Sequence, residues 1–171
     1  MPAVQVRHGG RRGAPAPAAG MSQPPVVVLD TNVVLDVFLF ADPASQPVRD
    51  GLAEGRLDWI ATPHMRNELE RVLDYAQLVP RLAFYGLTPA AILQKFDRHA
   101  RIVEPAPKIG FSCKDPDDQV FIDLAAAHRA QLLSKDRAVL CMRKRLAGLG
   151  VTVGTVLDTA AVDPAVLLPA R

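Results

Sequence analysis

Apolar positions along the chain fall into two patterns, short solid blocks and longer periodic stripes. Val26-Val27-Val28-Leu29 is wholly apolar and mostly β-branched, the pattern of a strand buried on both faces of a parallel sheet, and it stops at Asp30. Similar runs at Trp59-Ile60-Ala61, Arg101-Ile102-Val103, Gln131-Leu132-Leu133 and Val151-Thr152-Val153 predict four more strands. Between them lie helix signals. Thr88-Pro89, Asp115-Pro116 and Asp163-Pro164 each set a capping side chain before a proline, whose missing N–H costs nothing at the first helical position. The first two predict long helices. After Asp115-Pro116, residues Val120, Phe121, Leu124 and Ala125, continued by Ala127 and His128, predict a stripe against the sheet. Val139, Leu140, Met142, Leu146 and Leu149 predict a second stripe on a helix following Asp136, and Met65, Leu69, Val72 and Leu73 predict a third, with Glu68 near its start. The run Val33 to Phe40 suits a helix or a strand. Strands that alternate with helices predict an α/β fold.

The 171 residues, 49% hydrophobic and 22% charged, suit one domain with a single core. Residues 1–25 are rich in Gly, Ala, Pro and Arg, without apolar periodicity or the apolar region of a secretory signal, and predict a disordered tail. Met21 is an alternative start of translation. The domain is expected over residues 26–162, with a C-terminal turn or tail at 163–171. The richest apolar stretch, Val26 to Phe40, is cut by Asp30, Asn32 and Asp36, so no membrane span is predicted. Cys113 and Cys141 have neither zinc-site nor disulfide-framework spacing, and a reducing cytoplasm is the expected compartment. The net charge of +2 includes Arg7, Arg11 and Arg12 of the tail; without them 17 bases face 18 acids. Global charge therefore does not advertise nucleic-acid binding.

In an open parallel sheet, ligands gather outside the carboxyl ends of the strands. Asp30 directly follows the first strand, and Asp136 follows Gln131–Leu133 through Ser134-Lys135. Asp118 opens the preceding helix. If the sheet is parallel, these acids and Glu68 converge at one edge. Hard divalent cations such as Mg²⁺ or Mn²⁺ need oxygen ligands, whereas clustered carboxylates without a cation repel one another. Each acid also has an ordinary reading. Asp30 can cap the helix after Thr31-Asn32, Glu68 can be a solvated helix residue, and Asp136 can be an N-cap. Asp115, Asp117 and Asp118 crowd a first turn, where the helix dipole favours acids, and capping is the preferred role for Asp115.

Taken together, the segments VVVLDTNVV, NELERVL, KDPDDQVFIDLA and LLSKDRAVL resemble the PIN-domain nuclease family. That family's pattern is a strand ending in Asp-Thr-Asn, a helical Glu, a helix-opening Asp and an Asp after a later strand. The 18 residues from Asp118 to Asp136 suit the helix-then-strand unit of that family. The resemblance covers roughly Val26 to Thr159 and is closest to bacterial toxin components of toxin–antitoxin pairs (VapC-like, with Asp-Pro-Asp-Asp opening the helix). It implies a three-layer α/β/α fold with a short parallel sheet. It also implies a metal-binding catalytic quartet of Asp30, Glu68, Asp118 and Asp136, supported by Thr31, Asn32 and Ser134, with Asp115 and Asp117 as neighbours. Lys135 departs from the pattern, standing where other residues often precede the last Asp. The implied chemistry is Mg²⁺- or Mn²⁺-dependent hydrolysis of RNA phosphodiesters, by the toxin component of a type II toxin–antitoxin pair, without a protein nucleophile. An antitoxin and a second copy of the chain are the implied protein partners.

Arg137, Arg143, Lys144 and Arg145 follow Asp136 on one expected helix and are candidate phosphate contacts, or simply a solvated face. Aromatics make up 5% of the chain, so base stacking is expected to be sparse. Two other readings compete. A haloacid-dehalogenase-like phosphatase also places an Asp after its first strand, but it needs a second acid two residues later, where this chain has Asn32. A PIN-like scaffold that binds RNA or protein without cutting differs only in activity, and complete retention of the four acids argues against it.

Overall fold

The computed structural model describes residues 23–161. Most of the expected N-terminal tail, the segment after Ala161 and the Asp163-Pro164 cap lie outside the described residues. Five strands, β1 (Val26–Leu29), β2 (Asp58–Ala61), β3 (Ala100–Ile102), β4 (Gln131–Leu133) and β5 (Thr152–Gly154), form one sheet in the order β3-β2-β1-β4-β5. Every neighbouring pair is parallel. Among the described residues eight α-helices connect them: α1 (Thr31–Phe38), α2 (Gln46–Ala53), α3 (Pro63–Leu73), α4 (Val79–Phe84), α5 (Pro89–His99), α6 (Gln119–His128), α7 (Arg137–Leu140) and α8 (Arg143–Ala147). This is the three-layer α/β/α arrangement of a parallel sheet flanked by helices.

The solid apolar blocks do what their composition requires. Val27, Val28, Ile60 and Leu132 have no exposed surface, because parallel strands in a covered sheet are buried on both faces. Trp59 on β2 packs edge-on to Phe96 of α5, with ring centroids 4.8 Å apart, and tilted against Phe38 of α1 at 5.9 Å. Thr62 and Thr88 cap α3 and α5 with side-chain oxygens that accept from Met65 N and Ala91 N, each followed by a first-turn proline. Asp115 likewise accepts from Asp117 N and opens a 3₁₀ turn, Pro116–Asp118, which runs into α6.

Three expectations change. Val33 to Phe38 is helical and buried nearly all round, Asp36 included, which is why periodicity could not classify it. The predicted helix after Asp136 is two short helices, because Met142 N donates to Val139 O and tightens the chain between them. Val139, Met142 and Leu146 stay buried while Leu149 is exposed. On α6 the buried set is Phe121 to Leu124 with Ala125, Asp123 included, whereas Ala127 and His128 are exposed.

The strand order turns at the centre of the sheet. β1 continues to β2 and β3 on one side, and β4 to β5 lies on the other. The carboxyl ends of β1 and β4 are therefore adjacent where the two halves of the topology diverge, the position at which open α/β sheets form a crevice.

Candidate active site

Five acids gather at that crevice, four of them because they stand at the N-cap of a helical element. Asp30 leaves β1 and stands at the N-cap position of α1, with its backbone N–H bonded to Leu133 O of β4 at 2.9 Å. It does not cap through its side chain. Its Oδ2 instead accepts a 2.6 Å hydrogen bond from Ser134 Oγ, and the same hydroxyl accepts from Asp136 N at 3.0 Å. Ser134 has no exposed surface, so one buried hydroxyl joins the acid that ends β1 to the acid that caps α7. Asp136 does cap α7, its Oδ1 accepting from Ala138 N at 2.8 Å. Thr31 Oγ1 donates to Glu68 Oε2 at 3.1 Å, drawing α3 to the start of α1.

One carboxylate oxygen from each of Asp115, Asp118 and Asp136 lies within 4.8 Å of the other two. Asp115 thus does both things open to it, capping the 3₁₀ turn and joining the acidic group. Asp30 lies close enough to feel the charges of Asp136 and Asp115, and Glu68 in turn feels that of Asp30. Asp118 is buried and its Oδ2 has no hydrogen-bond partner. Among the described residues, none of these five acids forms an ion pair with Lys, Arg or His.

The electrostatic consequence is a proton held where it would ordinarily be lost. Burial, then the charge of Asp30 and the close approach of Asp136, push the Asp118 carboxyl from 3.8 to about 7. Burial also raises Asp30, against the bond from Ser134 and in concert with the charges of Asp136 and Asp115. Glu68 is raised chiefly by burial, opposed by the Thr31 hydroxyl. Nearby Cys113 is pushed up by burial and by Asp118, Asp115 and Asp136, and stays a thiol rather than a thiolate nucleophile.

These residues fit a hard divalent cation. The donors are carboxylates and one buried oxygen lacks a partner, the hard-oxygen set that Mg²⁺ takes. Asp115, Asp118 and Asp136 could hold such an ion together, with Asp30 and Glu68 at its margin.

The other expected residues divide. Thr31 and Ser134 make the contacts above. Asn32 is exposed and its side chain makes no hydrogen bond among the described residues, and Asp117 contributes only its backbone N–H, to Asp115. Arg137, Arg143, Lys144 and Arg145 are all exposed, but they occupy two helices rather than one, and the Arg145 guanidinium lies 6.0 Å from the ring centre of Phe111. Sequence reasoning gave no part to Asp36. This buried acid on α1 pairs with Lys135, and its one signal was an acid inside an otherwise apolar run.

A PIN domain family model matches residues 26–138, a span that contains Asp30, Glu68, Asp115, Asp118 and Asp136. The chain belongs to the PIN domain family. No curated protein matches it significantly. Among solved structures it is similar to a chain in the crystal structure of VapBC2 from Rickettsia felis bound to a DNA fragment from their promoter, with a TM-score of 0.50 and 14% sequence identity. The likeness covers 75% of this chain and 98% of that one, and at this identity it speaks for the fold. No helix among the described residues is long and apolar enough to cross a membrane.

Proposed function

We propose that this PIN-domain protein is a Mg²⁺- or Mn²⁺-dependent endoribonuclease, and that it serves in the cytoplasm as the toxin of a toxin–antitoxin pair. The observation that carries the metal reading is the partnerless, buried Asp118 Oδ2 inside a group of acids that makes no ion pair among the described residues. Such a group has no value as a stability device, since burial and mutual repulsion both oppose its charge. A bound divalent ion would supply activation of a water and neutralisation of charge on the phosphate oxygens. The protein's own residues orient the site. Ser134 holds Asp30 at 2.6 Å and Asp136 through its N–H, Thr31 donates to Glu68, and the 3₁₀ turn, with three residues per turn, brings Asp115 and Asp118 to one side. Asp118 requires deprotonation to act as a ligand.

RNA as the substrate and an antitoxin as the partner rest on the family resemblance of the four acidic segments. The VapBC2 structure, a complex described with promoter DNA, is consistent with the second. Homodimerisation belongs to the same proposal. The exposed Arg137, Arg143, Lys144 and Arg145 supply positive charge beside Asp136 for an RNA backbone.

The test is incubation of the metal-free protein with end-labelled single-stranded and hairpin RNAs, then addition of Mg²⁺ or Mn²⁺. Cleavage is expected only after addition and is expected to stop with EDTA. Cleavage that persists in chelator, or that survives Asp118→Asn unchanged, would overturn the reading.

A further inference from the structure

Lys135 stands between Ser134 and Asp136, yet its charge is spent elsewhere. Its Nζ pairs with Asp36 Oδ2 and, at 3.3 Å, with Asp42 Oδ2. Asp36 lies on α1, with 13% of its side chain exposed against 45% for Lys135, and it is the one acid among the buried residues Val33 to Phe38. A carboxylate so placed requires a cation.

The receiving side is also built. Asp42 N donates to Asp36 O at 3.0 Å, and Asp42 Oδ1 accepts from Ala44 N. Ala41 between them takes φ 47°, a left-handed conformation that a residue with a Cβ rarely adopts, and the turn aims Asp42 at Lys135. Arg49 braces the same turn by donating to Val37 O and Asp42 O.

We propose that Lys135, Asp36 and Asp42 form a positioning staple for the metal site, locking the β4–α7 loop that carries Ser134 and Asp136 onto the α1 segment that begins at Asp30. This rests on the nuclease reading and adds to it a residue outside the acidic quartet. The staple works through geometry rather than neutralisation. The strongest influences on Asp30 and Asp118 are burial, hydrogen bonds and other acids, and Lys135 is not among them. Ligands carried on two separate elements bind an ion well only if those elements are held in register, and partners one shell out from the ligands commonly change metal affinity tenfold or more.

The experiment is calorimetric titration of Mn²⁺ into the full-length metal-free protein, alongside thermal melting. Wild type is expected to bind. Lys135→Met is expected to bind about tenfold more weakly and to melt lower, since it strands Asp36. Lys135→Arg is expected to recover most of the affinity. The double variant Asp36→Asn with Lys135→Met leaves no stranded charge at position 36, so it is expected to regain melting temperature without regaining affinity. That separation distinguishes positioning from stability, and the double variant decides the matter if the single one does not fold. Wild-type Mn²⁺ affinity in the double variant, or in a folded Lys135→Met, overturns the staple alone. Absence of Mn²⁺ binding by wild type overturns the nuclease reading and the staple with it.

Discussion

Two groups of carboxylates, each with at least one buried member, sit on either side of one short loop, and the protein treats them oppositely. Asp36 and Asp42 receive Lys135, a cation from the chain itself. Asp30, Asp115, Asp118 and Asp136 receive hydroxyl and backbone N–H donors only, and one oxygen of Asp118 receives nothing. Lysine is one residue away from Asp136 in sequence and is directed to the other group. A buried charge is normally paired or made neutral. The paired group shows that this fold can compensate acids when nothing else will. The unpaired group is then a place where compensation is left to something from outside, and a dication suits its donors.

The comparison is broken most strongly by removing the hydroxyl that organises the unpaired side. Ser134→Ala deletes a donor to Asp30 and an acceptor for Asp136 N at a position with no exposed surface, and is expected to cost about 2 kcal/mol in urea denaturation. A loss too small to measure would mean that the two acids are held without it.

A smaller effect sharpens the contrast through pH. The Asp118 carboxyl, near 3.8 when unfolded and at about 7 when folded, contributes stability that is complete below pH 4 and is lost as pH rises through 7. Asp30 and Glu68 are shifted in the same direction. His99, held below its ordinary value by burial, works against this trend, so Asp118→Asn is the control. Between pH 5 and 7 the metal-free wild type is expected to lose stability relative to Asp118→Asn. With saturating Mn²⁺ the trend is expected to reverse, because deprotonated carboxylates bind the ion. Parallel metal-free profiles for the two proteins would remove Asp118 from the buried acidic group.

Much of the fold could be read from local pattern. β1 and β4 matched their apolar blocks residue for residue, and the Thr88 and Asp115 caps began helical turns as expected. The edge strands β3 and β5 shifted by one residue, since Arg101, Ile102 and Thr152 are exposed and solid burial no longer marks the ends. Helices α2 and α4 bury only Val48, Gly51 and Leu52 in one and Leu82 in the other, too few to show a stripe, although Pro47 and Pro80 carried the first-turn signal. Asp30 and Asp136 could be placed from the rule that strand ends form sites. The links that make them a site could not, because Ser134 meets Asp30 across 104 residues and Lys135 meets Asp42 across 93. Lys135 was visible as a departure from the family pattern, but nothing adjacent to it in sequence names its partners.

The acids around Asp118 are expected to destabilise the fold until a divalent cation arrives, whereas Asp36 and Asp42 already have the charge of Lys135 beside them. The most direct measurement is thermal melting at pH 8 of wild type, Asp36→Asn and Asp118→Asn, each metal-free and with Mn²⁺. Without metal, Asp36→Asn is expected to melt below wild type and Asp118→Asn at or above it, because only the second removes an uncompensated charge. With Mn²⁺ at one hundred times its Kd, wild type should gain about 2.7 kcal/mol and Asp118→Asn much less. If metal-free Asp118→Asn melts below wild type and still gains fully from Mn²⁺, Asp118 is an ordinary helix-opening acid and the account is wrong.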